Sequence, residues 1–397
     1  MALPLQALSI LHHLVLAASM LVVMVGSAEQ PSGYRFPLIR RSASATMRYS
    51  DFEYHMEFKI GDSLVSAIVD TGSDLTWTNN SLLIDSPVSC PCDIAKENMY
   101  CCREVCMYKI NYGDTSVARG FMAKASLTFG ETTHESIIGS AIIFDCHSQT
   151  GNNKGNCNLY RDGGVVGLGR GELSLVKQLG LQNFSYCLTD YHEPNQISHI
   201  VLGLPDLVVL PTEDRKKTKL MDIEGQLSRY YVELTKISMD HQVLDIPKTC
   251  FELNKANGHG GMFIDSGSTY TRLPTDAFSK VKEKVTGRMN QEPKNKNITS
   301  NAGFTCYHGK KIPDNMPKME LHFAGGAQMV LPIENYMVLD QKYEEVCLTV
   351  KDAHPLHPHT FILGNFQQQN IDMFFDITHK ELSFVERKCG ENKHAAV

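Results

Sequence analysis

Two aspartates sit in nearly identical settings. Ala67-Ile68-Val69-Asp70-Thr71-Gly72-Ser73 returns as Met262-Phe263-Ile264-Asp265-Ser266-Gly267-Ser268, in each case an apolar run, then Asp, a hydroxyl residue, Gly and Ser. A second echo follows: Gly167 of Val165-Val166-Gly167 lies 97 residues after Asp70, and Gly364 of Ile362-Leu363-Gly364 lies 99 after Asp265. Repeats at matched offsets mark two structurally equivalent halves. Each half then presents one carboxylate at the end of a buried strand. Two carboxylates brought about 3 Å apart repel by about 5 kcal/mol at an effective dielectric near 20, so over a wide acid range the pair holds one proton. One member is then a base toward a water and the other an acid toward a carbonyl oxygen. Thr71 and Ser266 are expected to hydrogen-bond across the junction of the halves. Gly72 and Gly267 are expected to permit the tight turn that aims each carboxylate. Hydroxyls of Thr71, Ser73, Ser266 and Ser268 favour the ionised forms and keep the working pH low.

Short strands must position these turns. Tyr54 to Ile60 alternates, Gly61-Asp62 turns, and Leu64 to Val69 runs into the first motif. Ser126–Phe129, Ile142–Phe144, Tyr230–Ile237 and Met262–Ile264 read as further strands, with helices at Glu172–Leu179 and Thr275–Val285 and a polar loop at Asn290–Asn301. The whole reads as mostly β in two lobes. The glycine-rich Gly163–Gly171 carries no Lys-Ser/Thr, so it is not a phosphate loop. His354, His357 and His359 alternate with prolines and read as a solvated loop.

A chain of 397 residues exceeds one hydrophobic core and suits two domains. A net charge of −6 argues against nucleic acid as a partner, since phosphate binding needs concentrated Lys and Arg. The densest basic run, Arg215-Lys216-Lys217-Thr218-Lys219, reads as a solvated connecting segment. Residues 1–28 read as a signal peptide, apolar from Leu8 to Val25 and closing on Gly26-Ser27-Ala28. No other stretch approaches the roughly 20 apolar residues of a membrane span, so no stable membrane association is expected. Behind such a leader, twelve cysteines read as six disulfides with no free thiol. Cys90-Pro-Cys92 and Cys101-Cys102-Arg-Glu-Val-Cys106 lack paired zinc spacing, and no metal is expected. Glycosylation acceptors stand at Asn79, Asn183 and Asn297. The expected location is secreted, with the extracellular space or a vacuole as destination.

Asp70-Thr-Gly-Ser-Asp-Leu-Thr-Trp77, Tyr112-Gly-Asp114, Val165-Val-Gly-Leu-Gly-Arg-Gly171, Phe184-Ser-Tyr-Cys187, Asp265-Ser-Gly-Ser268 and Ile362-Leu-Gly-Asn-Phe-Gln-Gln-Gln-Asn370 together resemble the pepsin family of aspartic proteases. The plant nepenthesin-like branch is the best match, over about residues 50–390. The resemblance implies a bilobal pepsin-like acid protease fold, two pseudo-symmetric β lobes with the active-site cleft between them. It implies that Asp70 and Asp265 are the catalytic pair, that Tyr112 is the flap tyrosine over the substrate, and that Trp77 packs under the flap with its N–H toward Tyr112. It suggests the disulfides Cys187–Cys389 and Cys306–Cys347, a peptide or protein substrate, a monomer and no cofactor. The chain then divides into the signal peptide 1–28, a short prosegment-like or linker region 29–48, a first lobe 49–210 with a cysteine-rich insert and the flap, and a second lobe 211–397. Thr115 stands where the flap of the family has Gly, which implies a strained tip. A catalytically inert binding protein on the same fold, like the plant inhibitors of microbial xylanases, is the alternative; both aspartates and both glycines stand, which favours the enzyme.

Overall fold

The computed structural model describes residues 33–42, 52–79, 86–90, 98–113, 116–145, 163–193, 195–203, 214–291, 298–301, 303–354 and 357–390. One large sheet runs through both halves. At the junction its strands lie in the order Lys216–Lys219, Glu381–Glu386, Ile371–Asp376, Asn183–Cys187, Ser198–Leu202 and Tyr34–Ser42. Asn183–Cys187 of the first half pairs antiparallel with Ile371–Asp376 of the second, Ser185 opposite Phe374. Tyr34–Ser42 lies inside the stretch expected to be a prosegment or linker. It is a nine-residue strand zipped between Ser198–Leu202 and Phe52–Ile60.

The repeated motif reappears as repeated topology. Ser63–Asp70 pairs in parallel with Gly164–Gly167, so Asp70 stands opposite Gly167. Met262–Ile264 pairs in parallel with Phe361–Leu363. Trp77–Thr78 then runs antiparallel to Gly164–Gly167, and Arg272–Leu273 antiparallel to Phe361–Leu363. Strands buried on both faces read as continuous apolar runs rather than alternating ones. That is why Ala67-Ile-Val and Met262-Phe-Ile lead into each aspartate. Beyond the first motif, Val117–Phe129 and Thr132–Asp145 form a long hairpin, and Val105–Asn111 adds to its edge. Trp77, Tyr108 and Met122 pack beneath this edge in a core of their own.

Several expectations shift. The helix Thr275–Met289 runs past Val285, whereas the first helix shrinks to Leu175–Gln178 behind the N-cap Ser174. Ile298–Asn301, expected in a polar loop, is a strand against Phe304–His308; its β-branched Ile298 and Thr299 suit a pleated edge. The basic run is not a solvated connector. Lys216–Lys219 is an edge strand on Glu381–Glu386, with Lys217 and Lys219 at 3.0 and 3.5 Å from Glu381. Arg215 is buried against Asp372 at 2.8 Å.

The bonds Cys187–Cys389 and Cys306–Cys347 form, as does Cys90–Cys101 within the insert. Cys106 is also disulfide-bonded. Cys92, Cys146 and Cys157 lie outside the described residues. The expectation of no free thiol fails: Cys102 is a free, exposed thiol and Cys250 a free, half-buried one. An even count does not bring two Cβ atoms within the narrow bonding geometry, and these two cysteines belong to different halves. Burial and the Asp276 carboxylate, 3.8 Å away, hold the Cys250 thiol above its usual pKa. Because the thiolate is the reactive form, Cys102 should alkylate first in the native protein at pH 8, with Cys250 lagging. Peptide mass mapping over time checks this; equal rates, or Cys250 first, would contradict the placement.

Candidate active site

Both aspartates stand where a buried parallel strand ends. Thr71 and Ser266 lock the two following turns reciprocally. Thr71 N–H donates to Ser266 Oγ at 3.0 Å, and Ser266 N–H to Thr71 Oγ1 at 2.9 Å. The hydroxyls donate onward across the junction, Thr71 to the Ile264 carbonyl at 2.9 Å and Ser266 to the Val69 carbonyl at 2.6 Å. Each hydroxyl gives and accepts one bond, and both side chains are buried.

Each carboxylate is then held by its own turn. Gly72 N–H donates to Asp70 Oδ1 at 2.8 Å, and the Ser73 hydroxyl donates to Asp70 Oδ2. Gly267 and Ser268 N–H donate to Asp265 Oδ1 at 3.0 and 3.2 Å, and the Ser268 hydroxyl to Oδ2 at 2.7 Å. The glycines serve a purpose other than the turn freedom expected of them. Neither has positive φ. Instead, a Cβ on Gly72 would lie 2.7 Å from Asp265 Oδ1, and one on Gly267 2.5 Å from Asp70 Oδ1. Each glycine lets the opposite carboxylate approach the backbone. Burial, and then the facing Asp265 charge, raise the Asp70 pKa well above the carboxylate range; the bonds from Ser73 and Gly72 pull down but do not prevail. The arrangement is a buried pair of carboxyl groups that holds a proton at pH values where exposed ones do not.

The surrounding elements shape a cleft of about 800 Å³ lined by both aspartates. Tyr112 follows the strand Val105–Asn111, and its N–H donates to the Ser116 carbonyl at 2.8 Å. The Trp77 indole N–H donates to the Tyr112 hydroxyl at 2.5 Å. Asp114 and Thr115, the latter expected at a strained flap tip, lie outside the described residues. The glycine-rich loop wraps a carboxylate: Gly171 N–H donates to Asp74 Oδ1 at 2.9 Å, and a Cβ on Gly169 would lie 2.2 Å from the same atom. Burial pushes Asp74 up to about 6. Asn79 is exposed and Asn183 half-buried at the start of a junction strand, while Asn297 lies outside the described residues.

Four buried amides support the site and were not singled out by residue chemistry. Asn365 donates to the Ser266 carbonyl at 3.0 Å. Gln367 accepts from Thr271 N–H at 2.8 Å, Gln368 donates to the Leu363 carbonyl at 2.8 Å, and Gln369 donates to the Tyr54 hydroxyl at 3.1 Å. Gln368 also accepts from the Tyr186 hydroxyl of the first half. Five amide residues among the six of Asn365-Phe-Gln-Gln-Gln-Asn370, directly after an apolar-Gly strand end, were the available signal. Arg229, Arg272 and His357 of the second half also line the cleft, and His357, expected in a solvated loop, is half-buried there.

The family descriptions "Xylanase inhibitor N-terminal" and "Xylanase inhibitor C-terminal" match residues 54–204 and 229–386. Aspartic proteinase nepenthesin-1 of Nepenthes gracilis is 33% identical over 86% of this chain and 79% of its own length. Nepenthesin-2 of the same plant is 33% identical over 86% and 78%. Among solved structures, Basic 7S globulin from soybean superposes with a TM-score of 0.66 at 18% identity, over 91% of this chain and 99% of the globulin. The chain belongs to the pepsin-like aspartic protease family of plants, and its mostly β fold is the bilobal one of that family.

A raised carboxylate pKa costs stability as pH rises. Protonated Asp70 is tolerated below its unfolded pKa near 4, and the folded state loses stability from there up to the raised pKa. Buried His55, held down to about 4, changes stability in the opposite sense over part of the same window, so the informative quantity is a difference between proteins that share it. Asp70→Asn should therefore melt higher than the wild type at pH 7, by several degrees, with the gap closing at pH 4. Thermal denaturation at both pH values measures it; a gap independent of pH would mean that the pair does not interact as described.

Proposed function

We propose that this protein is an aspartic endopeptidase that hydrolyses peptide bonds at acid pH. The observation that carries it is the reciprocal packing of the two turns, each glycine against the opposite carboxyl group, with a serine hydroxyl on each aspartate. In the singly protonated pair, the ionised carboxylate takes a proton from a water as that water attacks the peptide carbonyl. The protonated carboxyl gives its proton to the carbonyl oxygen. The tetrahedral diol collapses as one carboxyl gives its proton to the leaving nitrogen and the other, ionised carboxylate takes a proton from a diol hydroxyl, which breaks the C–N bond and restores the singly protonated pair. Trp77 holds the Tyr112 hydroxyl, and the flap closes over the peptide and excludes water. Relatives named aspartic proteinases at about a third identity support this assignment. The disulfides suit an oxidising compartment, and the proposed location is extracellular or vacuolar after removal of residues 1–28. No described helix is long and apolar enough to cross a membrane.

A second reading rests on the matching family descriptions, which name a xylanase inhibitor: a catalytically inert binder on the same frame. Digestion of a denatured protein between pH 3 and 5, with and without pepstatin, separates the two. Pepstatin-sensitive cleavage is expected, and Asp70→Asn and Asp265→Asn should each lower it by at least about 1,000-fold while the fold survives. No cleavage at any acid pH would favour the binder.

Rate should follow a bell in pH, because the chemistry needs one proton on the pair. The alkaline limb falls as Asp70 loses its proton. The Ser73 hydroxyl lowers the Asp70 pKa, so Ser73→Ala should move that limb to higher pH, by roughly one unit for a bond worth about 1 kcal/mol. A limb that stays in place, or moves down, would exclude Asp70 as the group that titrates there.

A further inference from the structure

The second-half wall of the cleft carries positive charge that the aspartate pair does not require. Arg229 lies over Phe263, its guanidinium carbon 4.6 Å from the ring centroid, and Phe263 is two residues from Asp265. Its partners there are neutral: Nη1 donates to Gln226 Oε1 at 2.8 Å, and a further bond goes to the Tyr231 hydroxyl. A guanidinium has five N–H donors, so this one retains capacity for a carboxylate. His357 comes from the second half and abuts the flap segment next to Tyr112. A Cβ on Gly113 would lie 3.0 Å from His357 Nε2. The charged groups that act on His357 are Arg229 and Arg272, which with burial lower its pKa, and Asp265, which raises it. Arg229, Arg272 and His357 line the same cleft as the two aspartates, and its other carboxylates, Glu53, Asp74 and Glu172, belong to the first half. The cleft is thus polarised, cationic on one wall and anionic on the other.

We propose that Arg229 and His357, with Arg272 adding to the field, form a subsite that takes an acidic side chain of the bound peptide. Charge-assisted bonds from guanidinium to carboxylate are among the strongest available in such a groove. The proposal rests on the peptidase reading only in taking the cleft as a peptide groove, so the test reads binding rather than turnover. Asp70→Asn protein is titrated at pH 5 with fluorescent peptides in which Glu or its neutral isostere Gln is moved along the chain. At one position Glu should bind about tenfold more tightly than Gln. Adding Arg229→Gln and His357→Gln together should bring that ratio close to one, whereas adding Arg229→Lys, which keeps the charge, should preserve a several-fold preference. Equal affinity for Glu and Gln at every position, no binding of either, or a preference that survives the double substitution would overturn the subsite. Hydrolysis by the wild type is read separately: a Glu preference without any cleavage would sink the peptidase reading and leave the subsite standing.

Discussion

The molecule depends on the four hydrogen bonds exchanged by Thr71 and Ser266 with each other's backbones and with Ile264 and Val69. They are buried, mutually satisfying and symmetric, and so they set the separation of two turns that come from distant parts of the chain. Removing one hydroxyl would orphan a buried N–H and a buried carbonyl at once, each costing about 1–3 kcal/mol. The carboxylates inherit their position from this lock, and the glycines beside them follow from it: once the turns are this close, no Cβ fits between a backbone and the opposite aspartate.

The frame around the lock is built to resist shear between the halves. Strands of both halves share the junction sheet. Cys187–Cys389 ties a first-half strand to a segment beyond the last second-half strand. Asn365, Gln367, Gln368 and Gln369 place amide groups in the interior, where each finds a backbone or hydroxyl partner. Asp372 takes two guanidinium groups, Arg215 at 2.8 Å and Arg387 at 2.7 Å. Burying charge in this way seldom adds net stability, but breaking it would be costly, and this makes the junction intolerant of sliding.

Much of this was legible in the residues because the repeated phrase couples two signals, an apolar run that demands burial and a polar cluster that demands partners. The strands Ser63–Asp70 and Met262–Ile264 and the pairing of their turns follow from that coupling. What was hidden depends on distance in space rather than along the chain. The φ values of Gly72 and Gly267 are ordinary, and only the opposite lobe explains them. The lysines of residues 216–219 look solvated, and they are, but the backbone beneath them is paired. Cysteine parity carries no geometry, so Cys102 and Cys250 could not be read as thiols. The cationic wall is assembled from residues 229, 272 and 357, too far apart in sequence to register as a cluster.

Tyr34–Ser42 carries Arg40 and Arg41 side by side, the kind of basic pair at which secretory precursors are commonly cut. Here the pair is sealed into a hydrogen-bonded ladder, Arg40 opposite Tyr54 and Arg41 opposite Glu53. Arg40 further donates to the Asp190 carbonyl at 2.9 Å, and Arg41 lies 3.6 Å from Glu57. A processing enzyme needs an extended segment free of such pairing, so it could reach this bond only by unzipping a strand of the sheet that joins the halves. The basic pair is therefore shielded by the fold itself, and any cut at that point would have to precede folding.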